Sequence, residues 1–324
     1  MSRLRGCDQV VLLGDTIELR DRPLESALAA AAPFLRELAD AVDGGRVVIV
    51  PGNHDHRLAL AARELARERH PRGAGDLVEQ VARGAGGPLG EIRRLLGTDF
   101  TVAYPGWRAT DTVWATHGHY LDVHSAAPTV ECAAAMLVGI ARGRASASAW
   151  APEDYEAVLA PTYNAFFRLA QRPRMHRAAD NGKALVRAVE TALGMRGTHG
   201  PPHRVRGADR VRGSVRLGGA ARLGTAPGEQ GRPGILPFAR VLGNLRVEAD
   251  HVLFGHTHRT GPVASDCEAR WRTSNGTALW NTGSWVYEPA YVGTRGASSP
   301  YWPGTLVTVD GSGPPRIHRL LDRL

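Results

Sequence analysis

Lysine is almost missing from this chain. Of 40 basic residues in 324, only Lys183 is lysine and 39 are arginine. An arginine bias of this kind follows GC-rich coding, so it does not by itself argue for phosphate contact. Cysteine is scarce too. Cys7, Cys132 and Cys267 are an odd number with no Cys-x-x-Cys spacing, which excludes a thiolate metal site and a disulfide framework and predicts reduced thiols. Long apolar runs are also lacking. The longest stretch, 133–141, is far too short to span a bilayer, and no secretory h-region follows Met1. The expectation is a soluble, cytoplasmic protein without a transmembrane segment.

The net charge of +8 is unevenly placed. Between Arg196 and Gly234 eight arginines face only Asp209 and Glu229, a local +6 that holds most of the excess. Because the rest is near neutral, the basic balance does not imply a nucleic-acid-binding surface. The same stretch contains ten glycines and four prolines, too many breakers for one packed element, and reads as a loop.

Apolar runs and turn signals alternate through the rest. Val10-Val11-Leu12-Leu13 predicts a buried strand stopped by Gly14, and Val47-Val48-Ile49-Val50 a second ended by Pro51-Gly52. Between them, 24–42 reads as an alanine-rich helix interrupted at Pro33, and 57–69 as a helix with charges on one side. Further strands are expected over 112–116, 251–254, 278–281 and 305–309. Strand, helix, strand, helix, strand predicts an α/β sandwich. Helices over 130–141, 153–171 and 175–193, followed by the arginine-rich loop, predict an insertion. The expected organisation is one catalytic domain, 1–129 and 245–324, with a helical cap plus loop at 130–244.

Chemistry-bearing residues follow the strands. Gly14-Asp15-Thr16-Ile17-Glu18, Gly52-Asn53-His54-Asp55, His117-Gly118-His119 and Gly255-His256-Thr257-His258 each come directly after an apolar run. Strand ends are where open α/β sheets place their sites. Phosphate-ester hydrolysis at neutral pH needs an activated water, neutralised phosphoryl charge and a protonated leaving group. Two divalent ions roughly 3.5–4 Å apart supply the first two. Carboxylate, amide oxygen and imidazole suit Mn, Fe or Zn, and Asp15, Asn53, His117, His256 and His258 are that mixture. Any one word alone is a turn or a loop; four in order, each after a strand, point to a site.

Together the words resemble the calcineurin-like metallophosphoesterase family, from about Val10 to the Asn281-Thr282-Gly283-Ser284 turn, outside the insert. The resemblance implies a two-sheet α/β sandwich and two divalent metal ions. It implies that Asp15 bridges both, that Asn53, His117 and His256 complete one shell, and that His258 serves the other. His54 resembles the general acid, with Asp55 orienting its ring, and His119 a residue near the site. Glu18 stays open between a solvated first-turn residue and a support for the site, while His56 and His124 read as surface or cap histidines. One family word is missing: Asp-x-His, on a strand before Gly-Asp, has no counterpart in residues 1–8, so the second metal position is incomplete. The expectation drawn from this is a true start further upstream; the rival is a single-metal or inactive relative.

The expected function is metal-dependent hydrolysis of a small phosphomono- or diester, including nucleotide or nucleotide-lipid diphosphates. Gly-Asp-x-x-Glu with a helical insert is similar to the UDP-2,3-diacylglucosamine pyrophosphatases, which carry Arg where this chain has His54. A nucleic-acid phosphodiesterase and a non-catalytic binding module are the alternatives. An aromatic-rich segment, Trp285, Tyr287, Tyr291, Tyr301 and Trp302, either stacks on substrate or packs in the core.

Overall fold

The computed structural model describes residues 1–42, 44–69, 78–124, 150–172, 235–311 and 313–321. The apolar runs do form strands. β1 (Gln9–Leu13) and β2 (Arg46–Val50) pair in parallel, in register from Gln9↔Arg46 to Leu13↔Val50. Gly14 and Pro51 therefore leave the sheet at the same end, which brings the loops bearing Asp15 and Asn53 together. β3 (Val78–Val81) and β4 (Thr101–Tyr104) complete a four-stranded sheet in the order β1-β2-β4-β3.

A second, five-stranded sheet has the order β5-β6-β7-β9-β8. It is built from β5 (Gly106–Arg108), β6 (Val113–Thr116), β7 (His251–Phe254), β8 (Thr260–Gly261) and β9 (Ala278–Thr282). β6 and β7 run parallel with Thr116 opposite Phe254, so His117 and the Gly255-His256 turn emerge at one end. β10 (Thr305–Thr308) and β11 (Arg316–Arg319) form an antiparallel ribbon. The fold is mixed α/β, with several sheets and helices.

Helix α1 (Leu24–Ala41) is not interrupted at Pro33, as its sequence suggested, but runs through it. Proline removes one N–H bond and crowds the preceding turn. Burial of Ala27, Leu28, Ala32, Leu35 and Leu38 along one face outweighs that loss. α2 (His56–Arg69) carries an unexpected pair on its buried face, His56 and Arg63. α3 (Gly87–Leu96) buries Leu89, Ile92, Leu95 and Leu96 and ends on Gly97 in the left-handed conformation, as helix C-termini often do. The expected helix at 153–171 is α4 (Pro152–Ala170), and α5 (Ile235–Asn244) also falls within the expected 130–244 insertion. Tyr155, Val158, Leu159 and Tyr163 of α4 and Phe238, Val241 and Leu242 of α5 share one apolar cluster with α1, α2 and α3. The expected helices at 130–141 and 175–193 and the arginine-rich loop lie outside the described residues, as does Cys132. Among the described residues no helix is long and apolar enough to cross a membrane.

Candidate metal centre

Three of the expected ligands converge. Asp15 follows β1, Asn53 follows β2 and His117 follows β6. His117 Nε2 stands 3.2 Å from Asp15 Oδ2 and 3.2 Å from Asn53 Oδ1. Glycines make the approach possible: a Cβ at Gly14 would overlap the His117 ring, and one at Gly52 would overlap both that ring and the Asp15 carboxylate. His117 Nδ1 lies 3.1 Å from the Leu13 carbonyl, to which it donates. Nε2 is therefore the atom turned to the two oxygens.

Three acceptor-type atoms at this spacing repel unless a cation lies among them. Burial alone would depress the His117 pKa, but the Asp15 charge, its hydrogen bond and the Leu13 carbonyl push it up to about 8, so a proton fills that need at neutral pH. Burial would raise the Asp15 carboxyl, and His117 and His54 outweigh it and hold it well below the ordinary range. A divalent ion would meet the same need. Octahedral bonds of about 2.1 Å place adjacent ligand atoms about 3.0 Å apart, close to the observed spacing. Carboxylate, amide oxygen and imidazole nitrogen therefore fit such an ion. Among the described residues, no three His, Cys, Asp or Glu side chains stand together in a metal-holding arrangement. The convergent set is two such residues and an amide.

His256 and His258 are placed differently. The His256 ring lies 5.2 Å from that of His117, centroid to centroid, but its Nε2 is 3.0 Å from Asp122 Oδ2. His258 keeps Nδ1 buried without a hydrogen-bond partner. Burial first, then the neighbouring His256, push its pKa down to about 4, so its ring is neutral. Asp15, His256 and His258 all have left-handed backbone, with φ of 51°, 65° and 61°. Such conformations cost of order 1–3 kcal/mol each in a non-glycine residue and gather at functional sites. His119 is buried; its Nε2 meets the Tyr104 hydroxyl at 3.0 Å and its Nδ1 has no partner.

The His54 ring is held by Glu18, not by Asp55. Its Nδ1 is 2.7 Å from Glu18 Oε2. Burial works against protonation of the ring, but the Glu18 bond and the Asp15 charge outweigh it and raise its pKa. Asp55 instead organises backbone. Its carboxylate accepts N–H bonds from Gly52 at 2.6 Å, Thr16 at 2.8 Å and Asp15 at 3.2 Å, stapling the two ligand loops together. Burial and the Asp15 charge push it up to about 6, against the pull of those N–H groups. A shallow groove, open to solvent, passes Asn53 and His54 and is walled by Leu19, Arg20, Arg57 and Phe167, with room for about one water molecule.

Several features were invisible in the sequence. His56 is no surface residue: it is buried, with Nε2 2.9 Å from Glu156 Oε2. His124 Nε2 meets the Tyr155 hydroxyl at 2.6 Å. Asp122 had no signal beyond its place five residues after His117. Of the aromatic segment, Trp302 is buried, while Trp285, Tyr287 and Tyr291 are exposed. Tyr291 meets His258 edge-on at 6.3 Å and stacks on Tyr301 at 5.6 Å. Comparison with protein-family models, with curated proteins and with solved structures gives no match, so the functional reading rests on these side chains.

Proposed function

We propose that this chain is a metal-dependent phosphoesterase of the calcineurin-like kind, hydrolysing a phosphomono- or diester. The convergence of Asp15 Oδ2, Asn53 Oδ1 and His117 Nε2 from the ends of three strands carries the reading. In the proposed two-sheet sandwich, Leu13 and Ala109 join the layers, packing against Val48, Val50, Ala103 and Trp107 as well as Val113, Ala115 and Leu253. Asp15, Asn53, His117 and His256 would hold one divalent ion, and Asp15 with His258 would contribute to a second; the chemistry such ions would supply is a more acidic water and neutralised phosphoryl charge.

The chain's own residues do the rest. Glu18 accepts from His54 Nδ1, which fixes the ring and leaves Nε2–H as the donor to the leaving oxygen. The Glu18 bond and the Asp15 charge raise the His54 pKa against burial, which favours the doubly protonated ring that this donation needs. The leaving group lies towards the solvent-open groove beside His54, and the exposed Tyr291 ring offers apolar surface beside His258. The test is turnover of p-nitrophenyl phosphate and bis(p-nitrophenyl) phosphate. Hydrolysis that EDTA abolishes and added Mn restores is expected; no hydrolysis of either ester with Mn, Fe or Zn overturns the proposal.

A further inference from the structure

An imidazole binds a metal through whichever nitrogen carries the lone pair, and the partner of the other nitrogen decides which that is. His117 follows this rule through the Leu13 carbonyl. His256 has a carboxylate in that role. Asp122 Oδ2 lies 3.0 Å from His256 Nε2, and the two side chains are only 12% and 10% exposed. An ionised carboxylate accepts only, so the proton between them sits on Nε2 and the lone pair on Nδ1.

Chain geometry makes the pairing. Gly118, with φ of 101°, turns the backbone directly after His117, and a short 3-10 segment, His119–His124, follows. Leu121 N–H closes that turn on the Gly118 carbonyl at 3.0 Å. The loop that delivers His117 thus also carries Asp122 to His256, across the parallel pairing of β6 with β7. The left-handed backbone at His256 costs energy that a firm anchor on the ring helps to offset.

We infer that Asp122 is a positioning residue for the metal centre, holding His256 in the Nε2–H form so that Nδ1 faces the ion. The inference rests on the metallophosphoesterase reading, and its test separates the two. Full-length protein labelled with ¹⁵N-histidine is studied by long-range ¹H–¹⁵N NMR, first metal-free and then titrated with Zn²⁺, while calorimetry measures Zn²⁺ affinity. Metal-free His256 should show the Nε2–H pattern, and Zn²⁺ should shift its Nδ1 resonance. Asp122→Ala should mix the tautomers and weaken Zn²⁺ binding about 10–100-fold, and Asp122→Glu should recover part of the loss. An Nδ1–H pattern in the metal-free wild type overturns the inference even if the alanine variant fails to fold. Unchanged Zn²⁺ affinity in a folded Asp122→Ala overturns it while leaving the phosphoesterase reading intact. A wild-type chain that binds no Zn²⁺ overturns both.

Discussion

Two buried polar clusters lie close together in this molecule, and they are satisfied in opposite ways. Around Glu156 on α4, one carboxylate receives donors from every side: the Tyr104 hydroxyl at 2.6 Å, the Tyr120 hydroxyl at 2.7 Å, His56 Nε2 at 2.9 Å and Arg63 at 3.1 Å. Around Asp15, His117 Nε2 meets two oxygens that only a proton or a cation between them can reconcile, the backbone is strained and His258 Nδ1 has no hydrogen-bond partner. The Glu156 carboxylate is saturated as folded, although His56 Nδ1 beside it is buried without a hydrogen-bond partner. At the Asp15 site a proton or a divalent ion has to fill the gap, as expected of a binding site rather than a structural joint.

The largest effect that would sharpen this contrast is on turnover. His54→Ala should lower kcat by about 10²–10⁴-fold, the range of a lost general acid, and leave the denaturant midpoint nearly unmoved. Steady-state kinetics beside urea unfolding checks both halves. Turnover within threefold of wild type would remove His54 from the chemistry.

Glu156→Ala should do the reverse. It removes the carboxylate that His56 and Arg63 share in the interior, and breaking a buried pair from one side costs about 3–5 kcal/mol. Urea unfolding measures it, and a loss under 1 kcal/mol would mean that water reaches the cluster. Asp15→Asn is the matched control at the other site. Asparagine tolerates a φ of 51° and keeps an oxygen for the His54 N–H, so stability should change by about 1 kcal/mol or less. A drop as large as that of Glu156→Ala would make the two clusters alike and break the comparison.

The sequence revealed the acceptor-rich cluster more readily than the closed one. Asp15, Asn53, His117 and His256 each sit directly after an apolar run, and parallel pairing of β1 with β2 and of β6 with β7 brings their turns together. Local words sufficed because the sheet does the gathering. Glu156 meets residues 36 to 100 positions away, on α2, β4 and the turn after β6, and no local pattern records such contacts. The Glu18–His54 contact hid for the same reason, spanning 36 residues. Pro33 misled because propensity is local, whereas the buried face of α1 answers to the whole core.

The smallest expected effect appears only in acid. Burial would raise the Glu156 carboxyl, but the His56 charge and hydrogen bond, then Arg63 and Tyr104, outweigh it and hold it far below the ordinary carboxylate range. A depressed folded pKa means that the unfolded chain takes up the proton first. The Glu156 contribution is therefore fully present above the unfolded value, about 4.3, and drains away as pH falls towards the folded one. Glu156→Gln cannot titrate. Beyond its lower overall stability, it should show a flatter decline between about pH 4.5 and pH 2 than wild type, read from urea midpoints across that range. Parallel curves for the two proteins would mean that Glu156 stays ionised in both states or is protonated in both, and its carboxylate would lose its claim to be saturated as an anion in the fold.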